Sequence, residues 1–177
     1  MLTYFVRVAH QVLRGILKPP KVTDGKVIIP FRCHLIDVDG FFHMNNANYL
    51  CNAELSRWRT LPAGKLISRM LSKEGMLFLA AENNVKYFRP IDPFQRYVIS
   101  TTVEICENDK WWYYRHSFEE HPDDVEDQKT PKVFAIVDLK AVVKQKNGKT
   151  IRPTELLKDN EFYKNWVTVR ETTNDQD

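Results

Sequence analysis

The chain has little of what builds a stapled, metal-bound or membrane-spanning protein. Its 177 residues hold three cysteines, Cys33, Cys51 and Cys106. They are odd in number and share no CxxC spacing, which argues against a disulfide framework or zinc knuckle and for a reducing, cytoplasmic setting. The histidines (His10, His34, His43, His116 and His121) show no HExxH or paired-ligand spacing, so no metal is expected. Lysine and arginine form no clustered stripe, and a net charge of +3 excludes a nucleic-acid footprint while leaving attraction to anionic ligands. No apolar run approaches the ~20 residues of a membrane span, because Arg7 and Arg14 interrupt the N-terminal one. No small-residue cleavage site follows that segment, which a secretory signal would need. Internal repeats and low-complexity linkers are also lacking.

What is present suits one globular domain. The length allows a self-sufficient core, and 43% apolar with 12% aromatic residues supplies it. Residues 1–22 open with an amphipathic helix pattern. Leu2, Phe5, Val6, Ala9, Leu13, Ile16 and Leu17 recur at helical spacing, with Arg7, His10, Gln11, Arg14 and Lys18 opposite. Such a helix either docks on its own domain or lies on a membrane surface. Pro19-Pro20 end it. "KVIIPFRCHLI" reads as a strand at an edge or bulged around Pro30. Asn45 to about Leu61 is the best helix, capped by Asn45 or Asn46, and "KLISRMLSK" is a shorter one. The period then changes to two. "MLFLAAENNVKYF", "YVISTTVEIC", "WWYYRHSFEE" and "KVFAIVDLKAVVKQ" read as antiparallel strands, the last with Val133, Ala135, Val137, Leu139, Ala141 and Val143 on one face. "PTELLKDNEFYKNW" is a C-terminal helix with Thr154 as cap, and residues 169–177 a disordered tail. A single sheet with a continuous apolar face needs a cover, and the helix near 46–61 is the candidate.

The densest chemistry lies in "LIDVDGFFHMNNANYL", residues 35–50. It is not a calcium loop. Counting from Asp37, the obligatory glycine position is Phe42 and the bidentate glutamate position is Asn48. An acidic side chain just before a helix N-terminus does combine the two requirements of acyl transfer. The carboxylate can attack a carbonyl or deprotonate water, and the outward-pointing N–H groups can stabilise an oxyanion. The same residues also serve as helix caps and turn formers, so composition leaves both readings open.

"DVDGFFHMNNANYLCNAELSR" resembles the first-strand-to-helix segment of hotdog-fold thioesterases of the 4-hydroxybenzoyl-CoA thioesterase type, with a D-x-D-x-x-G-H-x-N-N-x-x-Y pattern. Asp37, Asp39, His43, Asn45, Asn46 and Tyr49 match, as do Glu54 and Arg57 along the helix, and "VKYFRPI" is similar to the family's R-P-x strand end. The wording of the motif is closest to the group called thioesterase superfamily member six. The resemblance covers about residues 26–152. It implies an α+β hotdog fold, an antiparallel β-sheet wrapped around a long central helix, as one domain over residues 23–168. It also implies an acyl-CoA or acyl-carrier thioester as substrate, no cofactor beyond the CoA of that substrate, and a homodimer or pair of dimers. Asp39 then carries over as general base or nucleophile. Glu54 is the helix residue that would serve in branches that place the acid there. N–H groups around Asn45 and Asn46 would polarise the carbonyl, while His43 and Asn45 orient the carboxylate or a water. Tyr49 and Phe42 would line the acyl site, and Arg89, with Lys86 and Arg96, would meet CoA phosphates. Phe42 stands where the family usually has glycine. It would narrow the acyl pocket and motivates a second reading: a non-catalytic module that binds acyl-CoA or lipid, or a membrane-associated scaffold. The "WWYY" aromatics belong to a core or subunit interface, or to a ligand tunnel.

Overall fold

The computed structural model describes residues 2–73, 75–106, 110–125, 130–158 and 160–170. Its framework is one curled sheet of eight strands. The six that form its path are ordered β1 (Val22–Thr23), β2 (Lys26–Arg32), β4 (Arg96–Cys106), β5 (Trp111–Glu120), β6 (Val133–Lys144) and β3 (Leu77–Tyr87). All neighbours on this path are antiparallel. The short β7 (Thr150–Ile151) pairs with β6, and β8 (Val167–Arg170) pairs in parallel with β4. The α2 helix (Asn46–Thr60) lies against the concave face, so the expected arrangement of a sheet around a central helix is what forms.

Period-two patterning explains the strands. On β6, Ala135, Val137, Leu139, Ala141 and Val143 are buried and Val133 half-buried, as the alternation requires. On β4, Ile99, Val103 and Ile105 are inaccessible. The strand β3 does not form a hairpin with its sequence neighbour β4. It crosses to the far edge and pairs with β6, from Leu77↔Lys144 to Tyr87↔Ala135. Nine of its eleven residues are exposed.

Three expectations need correction at the ends of the chain. The C-terminal helix is two helices, α4 (Pro153–Leu157) and α5 (Glu161–Trp166). Thr154 does not cap the first, because Pro153 takes an N-terminal helical position and Arg152 becomes the capping residue. The break comes where the Asn160 side chain accepts from Tyr163 N at 3.3 Å and starts a new helix. Val169 and Arg170, expected in the tail, belong to β8, whose pairing with β4 satisfies their backbone. Residues 171–177 lie outside those described.

The N-terminal helix, α1 (Leu2–Leu17), docks along α2, but not by its apolar face. Gln11 and Gly15 are buried against the domain, with Tyr4 and Arg7 half-buried beside them. Gly15 is required because a Cβ there would collide with the Arg59 carbonyl oxygen of α2. Arg7 clamps the contact: its Nη2 donates to Asn52 Oδ1 at 2.6 Å and stands 3.0 Å from Asp37 Oδ1. Leu2, Phe5, Val6, Leu13, Ile16 and Leu17 all face outward. The short helix Leu66–Leu71, α3, caps the far end of the core near Tyr163 and Trp166.

Candidate functional site

The chain leaves β2 at Arg32 and makes a 3-10 turn over Leu35–Asp37, and a tight loop over 39–43 then leads into α2. Each polar residue of the motif has a separate place here. Asp37 is fully buried: Oδ2 accepts from His34 N at 3.0 Å, Oδ1 faces Arg7, and its carbonyl accepts from Asn45 N at 2.7 Å and Asn48 Nδ2 at 3.1 Å. It ties three segments together and is closed to a substrate. Asp39 is the accessible carboxylate, with its side chain 22% exposed. Its Oδ1 accepts from Phe41 N at 2.8 Å, while Oδ2 lies 3.8 Å from His43 Nδ1. The Phe41 N–H holds the carboxylate, while His43 Nδ1 is 3.3 Å from the Met44 carbonyl and stands beside Oδ2 beyond hydrogen-bond distance, which leaves lone pairs of Oδ2 available.

At the helix start the expected pair of N–H donors reduces to one. Asn45 N is taken by the Asp37 carbonyl, and the Asn45 side chain caps α2 by accepting from Ala47 N at 2.9 Å. Asn48 N donates back to Asn45 O at 2.9 Å. Among the described residues, only Asn46 N is left without an acceptor in this first turn, and it carries the positive end of the helix dipole. Asp39, His43 and the Asn46 N–H therefore share one loop–helix junction.

Other expected site residues fall elsewhere. Tyr49 is 2% exposed and packs between Tyr87 and Phe118, each at 5.1 Å between ring centroids. Burial pushes its hydroxyl up to about 12, so it is a core residue with no open face to a substrate. Glu54 lies eight residues beyond Asn46, about 12 Å along the helix axis at 1.5 Å per residue. It cannot act with the Asn46 N–H on one carbonyl within this protomer. Glu54 instead borders two cavities, an apolar one of about 230 Å³ and a more open one of about 380 Å³, which also share Arg57 and Phe78. Trp112 and Tyr114 of the "WWYY" group line the first and are also buried core residues. Arg89 is exposed with its side chain in no ion pair among the described residues. Arg96, expected near CoA phosphates, is held by Asp123 and Asp124.

Phe42 has φ +59°, the left-handed conformation in which glycine carries no steric penalty. Its ring is 77% exposed, so within the protomer it does not narrow a pocket as expected. The main effect is backbone strain of about 1–2 kcal/mol. Phe42→Gly should therefore cost no stability: urea unfolding should give an equal or higher midpoint, and an unfolding free energy higher by up to about 1 kcal/mol after the extra freedom of unfolded glycine is offset. A loss above that would show that the ring is packed by a partner.

His116, which the sequence singles out only as lacking metal-ligand spacing, is a buried member of a polar network. Nδ1 is 2.9 Å from Thr101 Oγ1 and Nε2 is 3.0 Å from Arg57 Nη1. Arginine only donates, so Nε2 accepts, and Nδ1 carries the proton and donates to Thr101. Burial first, then the Arg57 charge, hold His116 well below the ordinary histidine value. The unfolded chain therefore binds a proton the folded one refuses. The stabilisation is fully present above pH ~6.5 and declines below it, by about 1.4 kcal/mol per pH unit, until the depressed folded value is reached. Denaturant midpoints between pH 7.5 and 5.5 should show that decline in the wild type, and a smaller one in His116→Gln.

Comparison with known proteins gives the family and the fold. A model of the thioesterase-like superfamily matches residues 33–159. The chain belongs to that superfamily. Protein THEM6 of Drosophila melanogaster is 34% identical over 120 residues, 66% of this chain and 61% of the relative. A probable thioesterase of Saccharomyces cerevisiae is 27% identical over 130 residues, 72% of this chain and 50% of the relative. The chain thus spans roughly half to three-fifths of the length of the curated relatives it matches. A crystal structure of a 4-hydroxybenzoyl-CoA thioesterase mutant complexed with 4-hydroxybenzoyl-CoA superposes with a TM-score of 0.62 at 14% identity, covering 75% of this chain and 96% of that one. The YbaW probable thioesterase of Escherichia coli gives 0.61 at 19% identity, with 78% and 94% covered. These likenesses establish the hotdog fold. Among the described residues, no cluster of three metal-ligating side chains occurs, and no helix is long and apolar enough to cross a membrane.

Proposed function

We propose that this chain hydrolyses an acyl-CoA-type thioester at the junction of the 39–43 loop and α2. The observation that carries the reading is the accessible Asp39 carboxylate on the same loop–helix junction as the unpaired Asn46 N–H. The thioester carbonyl accepts from Asn46 N, where developing negative charge meets a donor and the helix dipole; one such donor is worth about 2.7–4 kcal/mol of barrier. Asp39, held by the Phe41 N–H with His43 beside it, takes a proton from a water that attacks the carbonyl carbon, or attacks that carbon itself. The tetrahedral intermediate collapses by breaking the carbon–sulfur bond, and the thiolate leaves with its phosphates in solvent. The first route releases the carboxylic acid directly, and the second leaves an acyl–Asp39 anhydride that water then hydrolyses to the acid and free Asp39. Family membership and the thioesterase relatives support this reaction class.

The site is completed by a second copy. β3 is an eleven-residue edge strand with Leu77, Leu79 and Tyr87 43–46% exposed and a register shift between Ala80 and Glu82, and the unpaired backbone groups of such an edge are a template for another strand. Antiparallel pairing of two β3 edges would cover it and yield a homodimer. The reading is tested by thiol release from acyl-CoAs of graded chain length and one aromatic acyl-CoA, with light scattering on the same preparation. Turnover by a dimer supports it. Inertness across the panel, with acyl-CoA still bound, would favour the non-catalytic binding module.

A further inference from the structure

We propose that the outer face of α1 is a docking surface for an anionic phospholipid bilayer. The proposal is independent of the thioester reading, since α1 lies outside the residues matched by the superfamily model.

The orientation of α1 carries the argument. A helix that served only to cover its domain would bury its apolar stripe. Here Tyr4, Arg7, Gln11 and Gly15 face α2, and the opposite side is apolar from end to end. Leu2, Phe5, Val6, Leu13, Ile16 and Leu17 are between 53% and 77% exposed. The inward face cannot be exchanged for the outward one. Gly15 is the only residue small enough for its contact with Arg59, and Arg7 neutralises the buried Asp37. The stripe is thus held outward by the fold.

Charge then selects the partner. No aspartate or glutamate occurs before Asp24, whereas Arg7, Arg14, Lys18 and Lys21 do. One flank of α1 forms a groove of about 310 Å³ with the β2 side of the sheet. Arg7, His10 and Arg14 line it from α1, and Arg32, His34 and Arg96 from the other wall, with no carboxylate among its lining residues. Arg7 and Arg96 are engaged by Asp37 and by Asp123 and Asp124, but Arg14 and Arg32 form no ion pair among the described residues. An apolar stripe flanked by unpaired cations matches a bilayer interface, with acyl chains opposite the stripe and phosphate headgroups level with Arg14, Lys18 and the groove. A second protein copy would have to bring acidic residues to this flank, and α1 itself has none to offer.

The full chain is tested by co-sedimentation with vesicles of phosphatidylcholine alone and of phosphatidylcholine with phosphatidylserine. Binding to the anionic vesicles is expected, weakening as salt is raised. Leu13→Glu with Ile16→Glu, and separately Arg14→Glu with Lys18→Glu, should each weaken it by about tenfold or more with melting curves unchanged, because these side chains project away from the core. The salt dependence of the wild type needs no variant and stands if one misfolds. No vesicle binding, or equal binding to neutral and anionic vesicles, overturns the proposal. So does a Leu13→Glu/Ile16→Glu variant that binds vesicles normally but dissociates an oligomer, which would assign the stripe to a second copy.

Discussion

Asp39→Asn is expected to lower kcat on the preferred acyl-CoA by about 10²–10⁴-fold, the range for a positioned acid–base group. The substitution is nearly isosteric, and an amide oxygen can still accept from Phe41 N, so the loop should keep its form. What is lost is the ability to take a proton or attack the carbonyl. KM should change little, because Asn46 N–H and the surrounding walls are untouched. The informative control is Glu54→Gln. Glu54 borders two cavities but stands about 12 Å along the helix from Asn46, so its variant should stay within about tenfold of wild type. If Glu54→Gln loses the activity and Asp39→Asn keeps it, the chemistry belongs to the helix carboxylate and the present assignment fails. Steady-state thiol release by the purified protein settles the comparison.

Trp166→Ala is expected to destabilise the fold by about 3–5 kcal/mol, a fall in Tm of roughly 6–20 °C for a chain of this size. Trp166 is 1% exposed and ends α5. It packs edge-on against Tyr114 at 6.3 Å and Phe162 at 5.6 Å, and its Nε1 donates to the Thr101 carbonyl of β4 at 2.9 Å. Removing it opens a cavity and takes the indole N–H from the Thr101 carbonyl, while β8, which follows directly, loses its anchor. Trp166→Phe should retain most of the packing and cost much less. Trp111 is the contrast: it is half-buried under the Lys110 and Lys140 ammonium groups, and Trp111→Ala should cost about 1 kcal/mol or less. Differential scanning calorimetry on the three variants would separate core packing from surface aromaticity.

The contrast between legible and illegible features follows from range. An asparagine cap on α2, at Asn45 or Asn46, and the alternation Val133 to Val143 were readable because both depend on neighbours a few residues away; the structure picks Asn45. The motif also placed Asp39 beside a helix N-terminus correctly. The resemblance chose Asp39 over Asp37, but residue chemistry alone gives no reason for the choice, since the pair differ only in what reaches them. Arg7, thirty positions earlier in the chain, makes Asp37 structural. Nor could the motif show that Asn45 N–H is consumed by the Asp37 carbonyl, which leaves Asn46 N–H, among the described residues, as the free donor of the first turn of α2. Tyr49 matched the motif as a site residue and became core because Tyr87 and Phe118, from two other strands, close over it.

Period and local capping, both legible in the sequence, account for the strands and long helix, the carboxylate-bearing junction and the amphipathic character of α1. The tertiary structure alone decided that β3 crosses to an open edge, that His116 is a neutral acceptor for Arg57, and that α1 turns its apolar face outward. Each of those depends on contacts between residues far apart in the chain. Hydrophobic spacing can mark a helix's apolar side, but only the packing of Gly15 on Arg59 and Arg7 on Asp37 says which side meets the core.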